Sequence, residues 1–284
     1  MQIYRTIADL RQDLKLARDN GLSIGLVPTM GNLHEGHLSL VKMARKQCDF
    51  IVTTIFINPA QFGPNEDLQN YPRSFEDDTT ALESINCDAV FAPNIEEIYP
   101  FGPRLETLVT VPSLSQLLCG ASRPGHFDGV CTIVTKLFTI CQPDKAYFGE
   151  KDYQQLTIIK KLVHDLNIPL EIIGIPTQRE TSGLALSSRN NYLSAEQKQQ
   201  AAILYQSLLQ TADALKNSSG LNFAKLENKA LQKISIAGLQ PDYFSICHTN
   251  TLLPAKPSDT ELVILTAAYL GETRLIDNIS ITFS

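Results

Sequence analysis

No stretch of the 284 residues approaches the roughly 18 uninterrupted apolar residues of a membrane span, which excludes a helical membrane protein. Positive charge is scarce too: 24 Lys and Arg stand against 30 Asp and Glu, a formal net charge of -6. Without a basic stripe to neutralise phosphates, no nucleic-acid partner is expected. There is no C-x-x-C pair. The six cysteines (Cys48, Cys87, Cys119, Cys131, Cys141 and Cys247) are scattered, which disfavours a zinc knuckle or a disulfide framework and leaves buried thiols. The opening segment MQIYRTIADLRQDLKLARDNG does not read as a leader, because Asp9, Arg11, Asp13 and Lys15 interrupt any apolar core. A cytoplasmic protein without a membrane partner is expected. Internal repeats and low-complexity tracts are absent as well.

What is present is an ordinary globular composition, 43% hydrophobic and 19% charged, in a chain longer than one small core fills. Apolar runs alternate with helix-period segments up to residue 176, the rhythm of a mostly parallel sheet. Strands are predicted at 22–27, 50–58, 88–92, 146–148 and 170–175, and helices at 38–47, 74–85, 127–141 and 152–166. After Pro176 the order becomes two helices, 194–216 and 223–234, then strands at 242–248, 261–270 and 273–281. The expected fold is therefore α/β: a Rossmann-like, mostly parallel sheet with helices on both faces over 1–176, plus a smaller α+β domain over 177–284. In such sheets ligands sit outside the carboxyl ends of the strands.

Several polar constellations fall at those ends. PTMGNLHEGH (28–37) follows a strand that Pro28 is expected to break, and it sets His34 and His37 three apart at a helix start. Backbone N–H groups there favour an anion such as phosphate. Capping and packing, or metal ligation, are the other readings, although H-E-x-x-H needs its histidines four apart. FINPAQFGPNEDLQNYPR carries Asn58, Gln61 and Asn65 after a strand; an amide such as Gln61 suits a hydroxyl or carboxylate, or simply caps a turn. Glu66, Asp67, Glu76, Asp77 and Asp78 read as solvated acidic faces or as a metal site. AYFGEKDYQQ offers Lys151, Asp152 and Gln155, and TSGLALSSRN offers Ser187, Ser188 and Arg189, either a solvated turn or a triphosphate clamp. No G-x-G-x-x-G follows the first strand, so a plain dinucleotide-binding module is disfavoured.

Together, PTMGNLHEGH, FINPAQFG, RPGHFDGV, FGEKDYQQ and LALSSRN resemble, in order and spacing and along essentially the whole chain, the pantoate:beta-alanine ligase (pantothenate synthetase) family. HEGH and SSRN look like local versions of the HIGH and KMSKS signatures of a nucleotidyltransferase superfamily. The resemblance implies an ATP-dependent condensation of (R)-pantoate with beta-alanine through a pantoyl adenylate, releasing pyrophosphate and AMP. It further implies that ATP lies along Met30, Gly31, Asn32, Leu33, His34, Glu35, Gly36 and His37. Gly149, Glu150, Lys151 and Asp152 would hold ribose and phosphates, Gln178 and Leu186 would meet the adenine, and Ser187, Ser188 and Arg189 would clamp the triphosphate. His34, His37, Lys151 and Arg189 would be the catalytic set, supplying positive charge around the phosphates. Gln61 and Gln155 would bind pantoate, Gln61 also lying near beta-alanine, with Asn58, Arg123 and His126 lining the pocket. Mg²⁺ would ride on the ATP phosphates rather than on protein ligands, the C-terminal domain would act as a lid, and the assembly would be a homodimer. Another nucleotidyltransferase of this architecture and a non-catalytic nucleotide-binding regulator are the alternative readings.

Overall fold

The computed structural model describes residues 1–64, 66, 68–103, 105–217 and 222–283. Six strands, β1 (Gln2–Tyr4), β2 (Ile24–Thr29), β3 (Phe50–Ile55), β4 (Ala89–Phe91), β5 (Lys145–Gly149) and β6 (Glu171–Ile175), form one sheet in the order β1-β4-β3-β2-β5-β6. Every neighbouring pair is parallel, so each connection must cross over, and helices α1 (Ile7–Asp19), α2 (Glu35–Gln47), α3 (Phe75–Ser84), α7 (His126–Cys141) and α8 (Tyr153–Asp165) share that work. Three shorter helices, α4 (Ile95–Ile98), α5 (Pro112–Ser115) and α6 (Cys119–Ser122), lie between α3 and α7 in the chain. Side chains alternate across the sheet. Val27, Ile51, Val90 and Tyr147 join the cluster built by α2 and Leu82 of α3. The equally buried Leu26, Val52, Ala89 and Phe148 turn the other way, and Phe148 meets Phe138 of α7 edge-on. A sheet covered on both faces needs apolar residues on both, which is why its strands are near-continuous apolar runs.

The structure corrects four local expectations. Pro28 does not end β2: it pairs in register with Thr54, and the ladder to β5 involves only Gly25 and Leu26, so the absent N–H falls where no partner strand requires it. β3 stops at Ile55, because Asn58 caps a 3₁₀ turn, Pro59–Gln61, instead of continuing the strand. The single helix expected over 194–216 is two, α9 (Ala195–Ala201) and α10 (Ile203–Asn217), separated where the Ala202 N–H bonds back to Gln199. At the N-terminus, β1 and α1 occupy a segment for which no element was predicted; Thr6 caps α1 by accepting from the Asp9 N–H.

The chain divides into two compact units. The first comprises Met1–Gln116, Gly120–Glu150 and Gln155–Pro176; the second comprises Leu117–Cys119, Lys151–Gln154 and Thr177–Ser284. In the second, β7 (Gln240–His248), β8 (Glu261–Leu270) and β9 (Thr273–Thr282) form an antiparallel sheet in sequential order. With α10 and α11 (Phe223–Ile236), it encloses a core including Leu204, Leu208, Ile234, Phe244, Ile264 and Leu275. Among the described residues no helix is long and apolar enough to cross a membrane.

Candidate active site

In the first unit β2 pairs with β3 on one side and β5 on the other, and the order of connection reverses between them. In sheets of this kind ligands bind at such a switch point, outside the carboxyl ends of the strands. The loop after β2 carries Met30 to His34, and the end of β5 carries Gly149 and Glu150. Gly31 (φ 81) and Asn32 (φ 51) are both left-handed. A Cβ on Gly31 would stand 3.0 Å from Asp78 Oδ2 and 3.1 Å from Ile55 Cγ2, so glycine is required there by space as well as by dihedral. Asp78 Oδ2 accepts the Asn32 N–H and Oδ1 the Leu33 N–H, each at 2.8 Å, and Ser74 Oγ donates to Oδ1 at 3.1 Å. Asp78 is thus a buried clasp for the histidine loop, not part of a solvated acidic face. Its backbone partners lie 46 and 45 positions away in the chain, and no local pattern advertises them. Asn65 and Asp67 lie outside the described residues.

The clasped loop delivers His34 and His37 to the start of α2. His34 is the N-cap: its Nδ1 accepts the Gly36 N–H at 3.1 Å, and His37 Nδ1 accepts the His34 N–H at 3.3 Å, a reciprocal capping box with ring centroids 4.1 Å apart. An Nδ1 that accepts an N–H carries no proton, so each neutral ring holds its hydrogen on Nε2. Capping and anion binding, which the sequence left as rival readings, are therefore compatible: one nitrogen caps and the other is a donor. Protonating Nδ1 would break the cap, so this capped geometry goes with neutral rings.

A second cluster surrounds Gln61. Asn58 is buried and saturated: Oδ1 accepts from Ala60 N–H (3.2 Å) and Tyr99 Oη (2.8 Å), while Nδ2 donates to Gln61 Oε1 and the Gly129 carbonyl, both at 3.1 Å. Arg123 grips Glu66 with Nε at 2.7 Å and Nη2 at 2.5 Å, and Nη1 reaches His126 Nε2 at 2.9 Å. Since a guanidinium only donates, His126 Nε2 accepts, and its Nδ1–H donates to the Gln61 carbonyl at 2.8 Å, the opposite tautomer to His34 and His37. Asn58, Gln61, Arg123 and His126 are brought together, but the polar contacts of Asn58 and Arg123 are made to protein. Gln155 lies half-buried in the first turn of α8.

Burial raises the Glu66 carboxyl, but the hydrogen bonds and charge of Arg123 outweigh it and hold the group below its usual range. A lowered native value means the unfolded chain binds the extra proton first. The resulting stabilisation is present above the ordinary carboxyl value and is lost as pH falls through the lowered one. Between about pH 5 and pH 3 the melting temperature of the wild type should fall more steeply than that of Glu66→Gln; parallel slopes in a thermal melt series would refute the assignment.

The second unit holds the remaining motifs. Lys151 Nζ lies 3.8 Å from Asp152, and its carbonyl accepts from Asn278 Nδ2 at 2.8 Å. Next to Asn278, the buried Asp277 takes both ends of the Arg179 guanidinium at 2.6 and 2.8 Å, and Arg179 stacks on Tyr205. Arg179 bridges to Ala185, and the Leu186 N–H bonds to the Gln178 carbonyl at 2.9 Å. Ser187 caps the 3₁₀ turn Ser188–Tyr192, which carries Arg189 half-buried. Adjacent positions on β9 thus brace the lysine segment and the serine segment. Sequence reading missed this, because Asp277 and Asn278 sit in a strand of ordinary pattern.

All six cysteines are free and buried, with burial pushing Cys131, Cys141 and Cys247 up to about 12. Such thiols are unsuited to nucleophilic work.

Against this geometry, the family model for pantoate-beta-alanine ligase matches residues 2–280. Pantothenate synthetases of Pseudomonas putida and Idiomarina loihiensis are each 53% identical to the chain. The first aligns over 279 residues (98% of this chain, 97% of that protein) and the second over 282 (99% and 98%). Among solved structures, the pantothenate synthetase of Thermus thermophilus superposes with a TM-score of 0.91 at 43% identity, covering 98% of this chain and 99% of that one. The pantoate-beta-alanine ligase of Francisella tularensis, complexed with beta-gamma ATP and beta-alanine, gives 0.78 at 38%, covering 98% and 97%.

Proposed function

The chain belongs to the pantoate-beta-alanine ligase family, and from that premise we propose how its residues carry out the reaction. The protein is an ATP-dependent carbon–nitrogen ligase that condenses pantoate with beta-alanine. A carboxylate does not condense with an amine in water unless it is activated. Pantoate is already ionised at neutral pH, since carboxyl groups titrate near about 4, so the first step needs no base. One carboxylate oxygen bonds to the α-phosphorus of ATP, the bond to the bridging oxygen breaks, and pyrophosphate leaves. The demands are alignment and donors where negative charge accumulates.

The observation that carries the reading is the capped pair at the switch point: two imidazoles with Nδ1 fastened to backbone and the proton on Nε2. In the proposal His34 and His37 donate to phosphate oxygens, with Lys151 and Arg189 as the cationic groups, and Ser187 and Ser188 as hydroxyl donors. Met30–His37 and Gly149–Asp152 follow ATP, Gln178 and Leu186 meet the adenine, and Gln61 and Gln155 hold pantoate. Asn58, Arg123 and His126 act by setting the Gln61 segment. In the second step the neutral amine of beta-alanine forms the amide bond, and AMP departs with the electrons of the acyl–oxygen bond.

Mg²⁺ is proposed to accompany the triphosphate. Among the described residues no group of three or more His, Cys, Asp or Glu is placed to hold a metal, and the Asp78 oxygens are taken by backbone N–H groups. The protein is also proposed to be a cytoplasmic homodimer, which sedimentation at several concentrations checks.

The reaction itself has a direct test. With pantoate labelled by ¹⁸O in its carboxylate, one labelled oxygen should appear in AMP, with AMP, pyrophosphate and pantothenate in equal amounts. Unlabelled AMP, or ADP with inorganic phosphate, would reject the adenylate.

A further inference from the structure

Tyr99 caps the C-terminal end of α4, takes no part in the motifs above, and is buried with its hydroxyl 2.8 Å from Asn58 Oδ1. The direction of each hydrogen bond around Asn58 follows from partners that can act in only one way. The Ala60 N–H can only donate and the Gly129 carbonyl can only accept, so Oδ1 faces Ala60 and Nδ2 faces Gly129. Tyr99 must then donate to Oδ1. Nδ2, a donor, must meet the oxygen end of the Gln61 amide, which lies 3.1 Å away. That leaves Gln61 Nε2 directed at the Met30 sulfur, 3.1 Å away, a weak acceptor that a substrate oxygen outcompetes.

We propose that Tyr99 is a positioning residue that fixes, through Asn58, which end of the Gln61 amide meets the organic acid. The NH₂ end is presented, so Gln61 takes a carboxylate or hydroxyl oxygen of the substrate as acceptor. The inference rests on the reading that Gln61 binds pantoate. Its surroundings keep the phenol a donor: burial, with the Glu106 charge adding to it, raises the hydroxyl's pKa.

Steady-state kinetics on three variants test it. Tyr99→Phe removes one oxygen and keeps the ring. It should raise KM for pantoate roughly 5- to 30-fold while KM for ATP stays within about twofold. Gln61→Glu keeps the acceptor and removes the donor, so it should weaken pantoate binding as much as Gln61→Ala does, by about tenfold or more. If Gln61→Ala leaves the pantoate KM unchanged, the pantoate reading itself fails. If Gln61→Ala raises it but Tyr99→Phe does not, or Tyr99→Phe shifts both substrates equally, the positioning role fails. If Gln61→Glu binds pantoate like the wild type, the assigned polarity is overturned, a result that holds even should Tyr99→Phe not fold.

Discussion

Lys151→Ala is expected to slow pyrophosphate release in a single turnover by about 10²- to 10³-fold, the usual effect of removing one charge-stabilising group. The ammonium is largely buried, and its counter-charge, Asp152, stands 3.8 Å away, too far for a tight pair. As the carboxylate attacks, negative charge grows on the departing pyrophosphate, and a point charge on a flexible stem can follow it. Lys151→Arg keeps the charge but replaces a compact ammonium by a planar fork, so it should recover only part of the rate. ATP binding should change less than turnover, because the charge to be neutralised is largest in the transition state. A Lys151→Ala enzyme with wild-type single-turnover kinetics would remove the residue from the mechanism.

Gly129→Ala is expected to damage pantoate use and stability together. A Cβ at this point of α7 would stand 2.6 Å from the Gln61 nitrogen and closer still to the Ala60 carbonyl, both main-chain atoms that cannot swing aside. The helix lies against the Pro59–Gln61 turn, and Asn58 bonds to the Gly129 carbonyl across that contact. Overpacking of this kind costs roughly 1–3 kcal/mol and more when backbone is struck. Chemical denaturation should show a lowered midpoint, and the surviving enzyme should have a raised KM for pantoate with near-normal ATP affinity. Unchanged stability would mean that helix and turn do not approach this closely.

Much of the frame was legible because parallel strands covered on both faces must be apolar runs, and because Gly149 and Pro176 mark the carboxyl ends of β5 and β6, although Pro28 lies inside β2. The three-residue edge strand β1 escaped notice because so short a segment carries no period. Asp78 was illegible for another reason. Glu76, Asp77 and Asp78 together look like the acidic first turn of a solvated helix, and only the fold brings the third of them to the N–H groups of Asn32 and Leu33. The pairing of Arg123 with Glu66, 57 positions apart, was hidden in the same way. Residue type pointed to His34, His37 and Gln61; what holds them depends on contacts between distant segments.

The second unit recruits Leu117–Cys119 and Lys151–Gln154 from well before Thr177, where its continuous stretch begins. Gln154 fastens the earlier of these segments through the Leu117 carbonyl and the Cys119 N–H, Cys119 meets Tyr243 and Arg274, and Lys151 hangs on Asn278. A gene chimera spliced at residue 176 would therefore inherit these braces from two parents. Unless donor and recipient agree at Tyr243, Arg274 and Asn278, such a hybrid would fold both halves and still leave its lysine unanchored.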